Sequence, residues 1–261
     1  MFVSLFCMRF PIYVLLAISL SASGQAVTPE PDHVADSIRN LEHYRETMIP
    51  TYMSDFGQLG RYKKDNAALS APKPGEKRVV FFGDSITDAW HLDYYFPGKP
   101  YINRGISGQT TSQMLVRFHQ DVINLQPATV VILAGTNDIA GNTGPISIED
   151  IEANYVSLAE LARAHGIHIV FSSVTPVHNS TPQSQNFFAQ RDPAKILALN
   201  AWLKNYSAAN GLLYLDYFSA MVDQHGLLRK DLAEDGLHPN DTGYRIMAPL
   251  AEGAIAEALG R

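Results

Sequence analysis

The chain has 261 residues, 46% of them apolar, and carries 20 Lys and Arg against 26 Asp and Glu, a formal net charge of -6. That length permits one large domain with an ample core. The lack of a basic surplus speaks against nucleic acid as a partner, which draws on a Lys/Arg stripe.

Met1 to Phe10 holds one positive charge, Arg9, and is followed by the apolar run Ile12 to Leu20 and then by Ser21-Ala22-Ser23-Gly24-Gln25-Ala26. This is the layout of a signal peptide over residues 1–26, with cleavage expected after Ala26 or Gly24. The apolar core falls short of the roughly 18 to 20 residues that a span needs. The mature protein is therefore expected to be secreted or periplasmic, with no stable membrane span. Cys7, the one cysteine, precedes the apolar core, whereas a lipid-attachment cysteine would follow it. The mature chain would hold no thiol, which is compatible with an oxidising compartment.

Residues 27–77 are the expected N-terminal helical segment and linker. Val34, Ile38, Leu41, Tyr44, Met48 and Ile49 recur every three to four positions, and Pro50 marks an interruption. The pattern predicts an amphipathic pair of helices packed on a sheet, with Lys and Arg on a solvated face and no chemistry of its own.

Residues 78–261 form the expected main domain. Val79 to Phe82 read as a strand buried on both faces, and Gly83 lets the chain turn sharply after it. Ser85 thus stands where a central strand hands over to a helix, at the carboxyl edge of a sheet and near the positive end of a helix. An aromatic patch follows (Trp90, Tyr94, Tyr95, Phe96), then a short strand at Tyr101 to Asn103 and a helix over Thr110 to Leu125 with Met114, Leu115, Phe118 and Val122 as its buried stripe. Further strands are predicted at Thr129 to Ala134, Ile167 to Val174 and Leu212 to Asp216, and further helices over Ile148 to His165, Ala194 to Asn210 and Asp241 to Leu259. Between them, Pro176 to Pro193 is a long polar loop of the kind that shapes binding sites. Alternating strands and helices predict a three-layer α/β/α sandwich with a flavodoxin-like, five-stranded parallel sheet and ligands at the carboxyl ends of its strands.

Ester cleavage through an acyl-enzyme needs a hydroxyl nucleophile, a base, a group to orient that base and donors for the oxyanion. Each has a candidate. Asp235-Gly236-Leu237-His238-Pro239 sets an acid and an imidazole three residues apart, so that Asp235 can hold His238 Nδ1 and leave Nε2 for Ser85. In Gly105-Ile106-Ser107-Gly108-Gln109-Thr110-Thr111, Gly108 would bring a backbone N–H close to a reacting carbonyl, while Ser107 reads as loop structure. In Gly135-Thr136-Asn137-Asp138, the Asn137 amide can donate a further bond.

Gly-Asp-Ser-Ile-Thr, the Gly-x-Ser-Gly-x-Thr loop, Gly-Thr-Asn-Asp and Asp-x-x-His, in this order between Val79 and Pro239, resemble the four blocks of the SGNH, or GDSL, hydrolases. The resemblance implies Ser85 as nucleophile with Asp235 and His238 completing a triad, and Gly108 and Asn137 as oxyanion donors beside the Ser85 N–H. It implies no cofactor and no metal, and a small-molecule or glycan ester as the partner. The one departure is Ile86 where the family name has Leu. The stretch Tyr101 to Arg117 is similar to the platelet-activating-factor acetylhydrolase branch, which hints at short acyl groups.

Other readings stand beside this one. A non-catalytic extracellular carbohydrate binder on the same fold, or lysophospholipase or thioesterase specificity, would use the same residues. There is no Gly-x-Ser-x-Gly elbow. His165 and His168 as zinc ligands are disfavoured by the helix-to-strand passage between them. Asp84, Asp88, Asp138 and Asp235 would be the carboxylates of a divalent-ion site. The aromatic patch, and His178, Phe187, Phe188 and Arg191 in the long loop, are either pocket walls or packing.

Overall fold

The computed structural model describes residues 31–261. The expected signal peptide lies outside the described residues. Strands β1 (Val79–Gly83), β2 (Tyr101–Gly105), β3 (Thr129–Leu133), β4 (His168–Ser172) and β5 (Leu213–Leu215) form one sheet in the order β2-β1-β3-β4-β5. All pairs are parallel. This is the flavodoxin-like order, whose ligand crevice opens beyond the carboxyl ends of β1 and β3.

Register fixes what meets at that edge. Gly83 pairs with Gly105 on one side and Leu133 on the other, so β1, β2 and β3 end level with one another. The segments that follow, beginning at Asp84, Ile106 and Ala134, leave the sheet side by side.

Both faces of the sheet are covered because every residue of β1 and β3 is buried. Alternation sends Val80, Phe82, Val130 and Ile132 to one core, shared with Phe118, Tyr155 and Leu199. These come from helices at Thr111–Asp121, Ile148–Ala164 and Pro193–Ala209. Val79, Phe81, Val131 and Leu133 face a second core with Trp90, Phe96, Met247 and Ile255, the last two from the closing helix Asp241–Leu259. Fully burying one such side chain contributes about 1.5–3 kcal/mol. The helix starts are written locally: Ser147 accepts from the Asp150 N–H, Asp192 from Ala194 and Asn240 from Gly243.

Three expectations need correction. The segment does hold two helices, but the break between them is not at Pro50: the first, α1 (Pro31–Asp55), runs through Pro50, and the second is the short Lys63–Ala68. Proline in a helix interior costs about 3 kcal/mol, yet α1 is anchored on both sides of it. Ser37 and Arg45 bond distant segments before Pro50, and Gln113 and Gln109 hold the Phe56 and Gly57 carbonyls after it. Nor does α1 lay an apolar stripe on the sheet. Ile38 and Ile49 are more than half exposed, and Ser37 is the buried residue of the first turns. Finally, the stretch 176–193 is not all loop: it contains a helix, here called α2 (Ser184–Gln190), and α1 packs against α2.

The aromatic patch divides. Trp90 and Phe96 are buried with ring centroids 5.5 Å from Phe81, so they are packing, whereas Tyr94 is exposed.

Candidate active site

Ser85 is the first residue of a short helix that follows β1, and the Asp84 carboxylate caps that helix by accepting from the Ile86 N–H at 3.0 Å. The other Asp84 oxygen is buried without a partner among the described residues. Burial raises the Asp84 pKa to about 6, against the opposing pull of the Ile86 N–H and of His238 and Arg191.

Opposite Ser85, the Asp235 to His238 turn is welded to the long loop. Gly236 has φ +82, and a Cβ there would stand 2.5 Å from the His178 carbonyl and 2.4 Å from Ser184 Cβ. His178 holds the same turn from the side: its N–H donates to Gly236 O at 3.1 Å, and its Nε2 lies 2.7 Å from Ala233 O. His178 is therefore a brace, not a pocket wall.

Within the turn, one Asp235 oxygen accepts from the Leu237 and His238 N–H groups at 3.0 and 2.8 Å, and the other lies 2.7 Å from His238 Nδ1. Burial pushes the Asp235 carboxyl up, but the His238 side chain and the two backbone N–H bonds outweigh it and hold the pKa at about 2. An ionised Asp235 can only accept, so Nδ1 carries the proton and Nε2 is free to accept. Nε2 lies 2.9 Å from Ser85 Oγ. Phe187 meets the His238 ring edge-on, with centroids 5.5 Å apart.

The other two predicted positions border the same cavity, of about 370 Å³, with Ser85 and His238. Gly108 has φ +79, a conformation that favours glycine, and a Cβ on it would stand 2.3 Å from Tyr44 Oη. Neither the Ser85 nor the Gly108 N–H bonds to any described residue. Asn137 Nδ2 donates one hydrogen to Gln109 O at 3.1 Å and has a second to give. Three residues with an N–H not committed to a described partner therefore line one cavity together with His238.

The remaining acids do not converge. Asp88 accepts from the Ser107 hydroxyl at 2.8 Å, which commits Ser107 to loop structure, and Asp138 accepts from the Thr111 N–H and hydroxyl. His165 meets His119, with ring centroids 6.1 Å apart, and His168 begins β4. Among the described residues, no three His, Cys, Asp or Glu side chains gather as ligands would.

Several cavity residues escaped the sequence reading. Asn40, Leu41 and Tyr44 of α1 form one wall, and Asn186 and Gln190 of α2 stand in another beside Phe187, which the sequence had named as a pocket wall or packing. Arg45 donates from Nε to Gly141 O at 2.8 Å, which pins α1 across the strand ends. Contrary to expectation, this segment borders the site, and its Arg45 is not a solvated charge. Leu41 and Tyr44 belong to the periodic pattern of the segment, but the pattern does not say that they face a cavity, and the polar residues beside them carry no period at all. Arg191, named in the sequence as a pocket wall or packing, also lines the cavity.

Residues 81–246 match the model of the GDSL-like Lipase/Acylhydrolase family. The chain is similar to a GDSL-like lipase from Bacteroides thetaiotaomicron, at 43% identity over 78% of this chain and 100% of that one, with a TM-score of 0.73. It shares its fold with an acetyl-xylooligosaccharide esterase from Geobacillus, at 21% identity over 71% of this chain and 95% of that one, with a TM-score of 0.56. It is 30% identical to the uncharacterized lipoprotein YqeF of Bacillus subtilis over 45% of this chain, a match that spans only 56% of that relative's length.

Proposed function

The chain belongs to the GDSL-like lipase/acylhydrolase family, and from that premise we propose that it is an exported serine esterase that removes short acyl groups from alcohols through a covalent acyl-serine. The observation that carries this reading is the unbroken hydrogen-bonded line from Asp235 through His238 to Ser85. It ends beside N–H donors that are not otherwise committed.

In this mechanism His238 Nε2 takes the Ser85 proton as Oγ bonds to the ester carbonyl carbon. The carbonyl π electrons move to oxygen, and the resulting oxyanion accepts from the Ser85 N–H, the Gly108 N–H and Asn137 Nδ2. Asp235, ionised at neutral pH, stabilises the imidazolium. As the tetrahedral centre collapses, the bond to the alcohol oxygen breaks and that oxygen takes the proton from Nε2. Water then enters, gives a proton to Nε2 and bonds to the acyl carbon, and the second collapse returns the proton to Ser85 Oγ and releases the acid.

Tyr44 over Gly108 and the Phe187 ring beside His238 limit the room for an acyl chain, which supports a short one. Asn40, Asn142, Asn186 and Gln190 line the cavity with neutral amides, suited to hydroxyl groups on a leaving alcohol such as a sugar. The acetyl-sugar esterase of the same fold acts on a substrate of that kind. Export rests on the signal-like residues 1–26 and on the lipoprotein relative. Among the described residues no helix is long and apolar enough to cross a membrane.

A fluorophosphonate probe tests the reading. Labelling should map to Ser85 and vanish in Ser85→Ala. A protein that stays unlabelled and inert toward acetyl esters is a binder on a hydrolase fold, and the esterase reading is then lost.

A further inference from the structure

Arg191 stands at the back of the site, 3% exposed, at the end of the long loop. Its Nη2 donates to Asn137 Oδ1 at 3.0 Å and its Nε to Thr136 Oγ1 at 3.0 Å. Its Nη1 reaches Gln190 Oε1 at 3.2 Å and Phe187 O at 3.5 Å. Every acceptor is a neutral oxygen. A buried cation satisfied this way bears a desolvation cost that no contacting carboxylate offsets, so packing alone gives no reason for it.

We infer that Arg191 is a positioning residue for the hydrolytic step: it locks the Asn137 side-chain amide in the one orientation that aims an N–H at the oxyanion, and stands as a pre-placed positive charge behind that donor. The inference rests on the esterase reading above.

The lock follows from donor chemistry. A guanidinium can only donate and the Gln109 carbonyl can only accept, so Asn137 must turn Oδ1 to Arg191 and Nδ2 to Gln109. A flipped amide would set N–H against N–H and oxygen against oxygen. Without Arg191 one of the two constraints is gone, and the amide can rotate away from the cavity.

The charge acts in the same direction. A hydrogen bond received at Oδ1 polarises the amide and strengthens donation from Nδ2. Burial lowers the Arg191 pKa to about 10, which leaves it cationic at neutral pH, and Asp84 and Asp235 attract it. When negative charge forms on the ester oxygen, the cation is already in place and no reorganisation is needed.

The test is a double-mutant cycle on Arg191 and Asn137 read by p-nitrophenyl acetate hydrolysis. Arg191→Met should lower kcat about tenfold to a hundredfold, less than removal of the donor itself, with KM changed by less than about twofold. In an Asn137→Ala background the same change should cost less than about threefold, because the donor it serves is already gone. Full turnover in Arg191→Met, or a loss that multiplies in full with that of Asn137→Ala, would make Arg191 mere packing. Should Arg191→Met fail to fold, Arg191→Lys goes through the same cycle. It keeps the charge but cannot hold Thr136 and Asn137 together, and is judged by the same two outcomes. Fluorophosphonate labelling of the wild type separates the two readings. An unlabelled wild type ends the esterase proposal and this inference with it, whereas a labelled wild type with an indifferent Arg191→Met ends only the latter.

Discussion

His238 Nε2 lies 2.9 Å from Ser85 Oγ although 153 positions separate the two residues in the chain. The contact joins the segment that leaves β1 to the turn before the last helix. Ser85→Ala and His238→Ala should each lower kcat on the order of a millionfold, as expected for groups that act as a unit. Turnover of p-nitrophenyl acetate by folded Ser85→Ala at near the wild-type rate would dismiss the triad.

Asn137→Ala removes one donor and leaves the nucleophile intact. Turnover should fall by about a hundred to a thousandfold, while a fluorophosphonate still labels Ser85. A loss of tenfold or less would mean that the two backbone N–H groups suffice for the oxyanion.

At Gly108 two obstacles to a side chain are separable. Gly108→Ala meets Tyr44 Oη and is also strained by its positive φ. Combining it with Tyr44→Ala removes the clash alone, so part of the lost activity should return. Tyr44→Ala by itself should shift preference toward longer acyl chains, as measured across p-nitrophenyl esters. No shift would show that α1 does not bound the acyl site.

The two carboxyls flanking the site oppose each other in pH dependence. Asp84 has a raised folded pKa, so the stability linked to it is present below the ordinary carboxyl range near pH 4 and lost as pH rises through about 6. Asp235 has a depressed one, so its contribution is present above about pH 4 and lost as pH falls through about 2. Urea unfolding should accordingly find Asp84→Asn gaining on the wild type between about pH 4 and 7. A constant difference across that window would show that Asp84 is not buried as described.

Activity should survive EDTA. Asp88, Asp138 and Asp235 are each held by separate partners and do not share a point where an ion could sit. Activity that is lost on chelation and restored by a divalent metal would favour the carboxylate-site reading over the serine mechanism.

The elements of the sheet were legible because β1 and β3 are apolar on both faces, a pattern that only a covered parallel strand tolerates. The proposed triad residues Ser85, His238 and Asp235 could be nominated for a similar reason, since a strand-to-helix turn and a three-residue acid–imidazole spacing are local features. Helix α1 was misread because two of its periodic apolar residues, Ile38 and Ile49, stay exposed and the others are only half-buried, while polar bonds from Ser37 and Arg45 dock it. Hydrogen bonds between distant segments leave no period in a sequence. The α2 helix was hidden for want of any apolar repeat in a stretch of Asn, Gln, Ser and Thr.

The chain by itself determined the succession of the strands and of the helices between them in the main domain, and it nominated the chemical type of each proposed reacting group, because both depend on neighbours within a few residues. Tertiary structure alone decided that α1 and α2 wall the cavity, that Tyr44 lies over Gly108, and that Arg191 grips Asn137. These relations depend on the level ends of three parallel strands and on how loops from opposite ends of the sequence meet above them. Such distances are set by packing in space, which no local pattern of residues encodes.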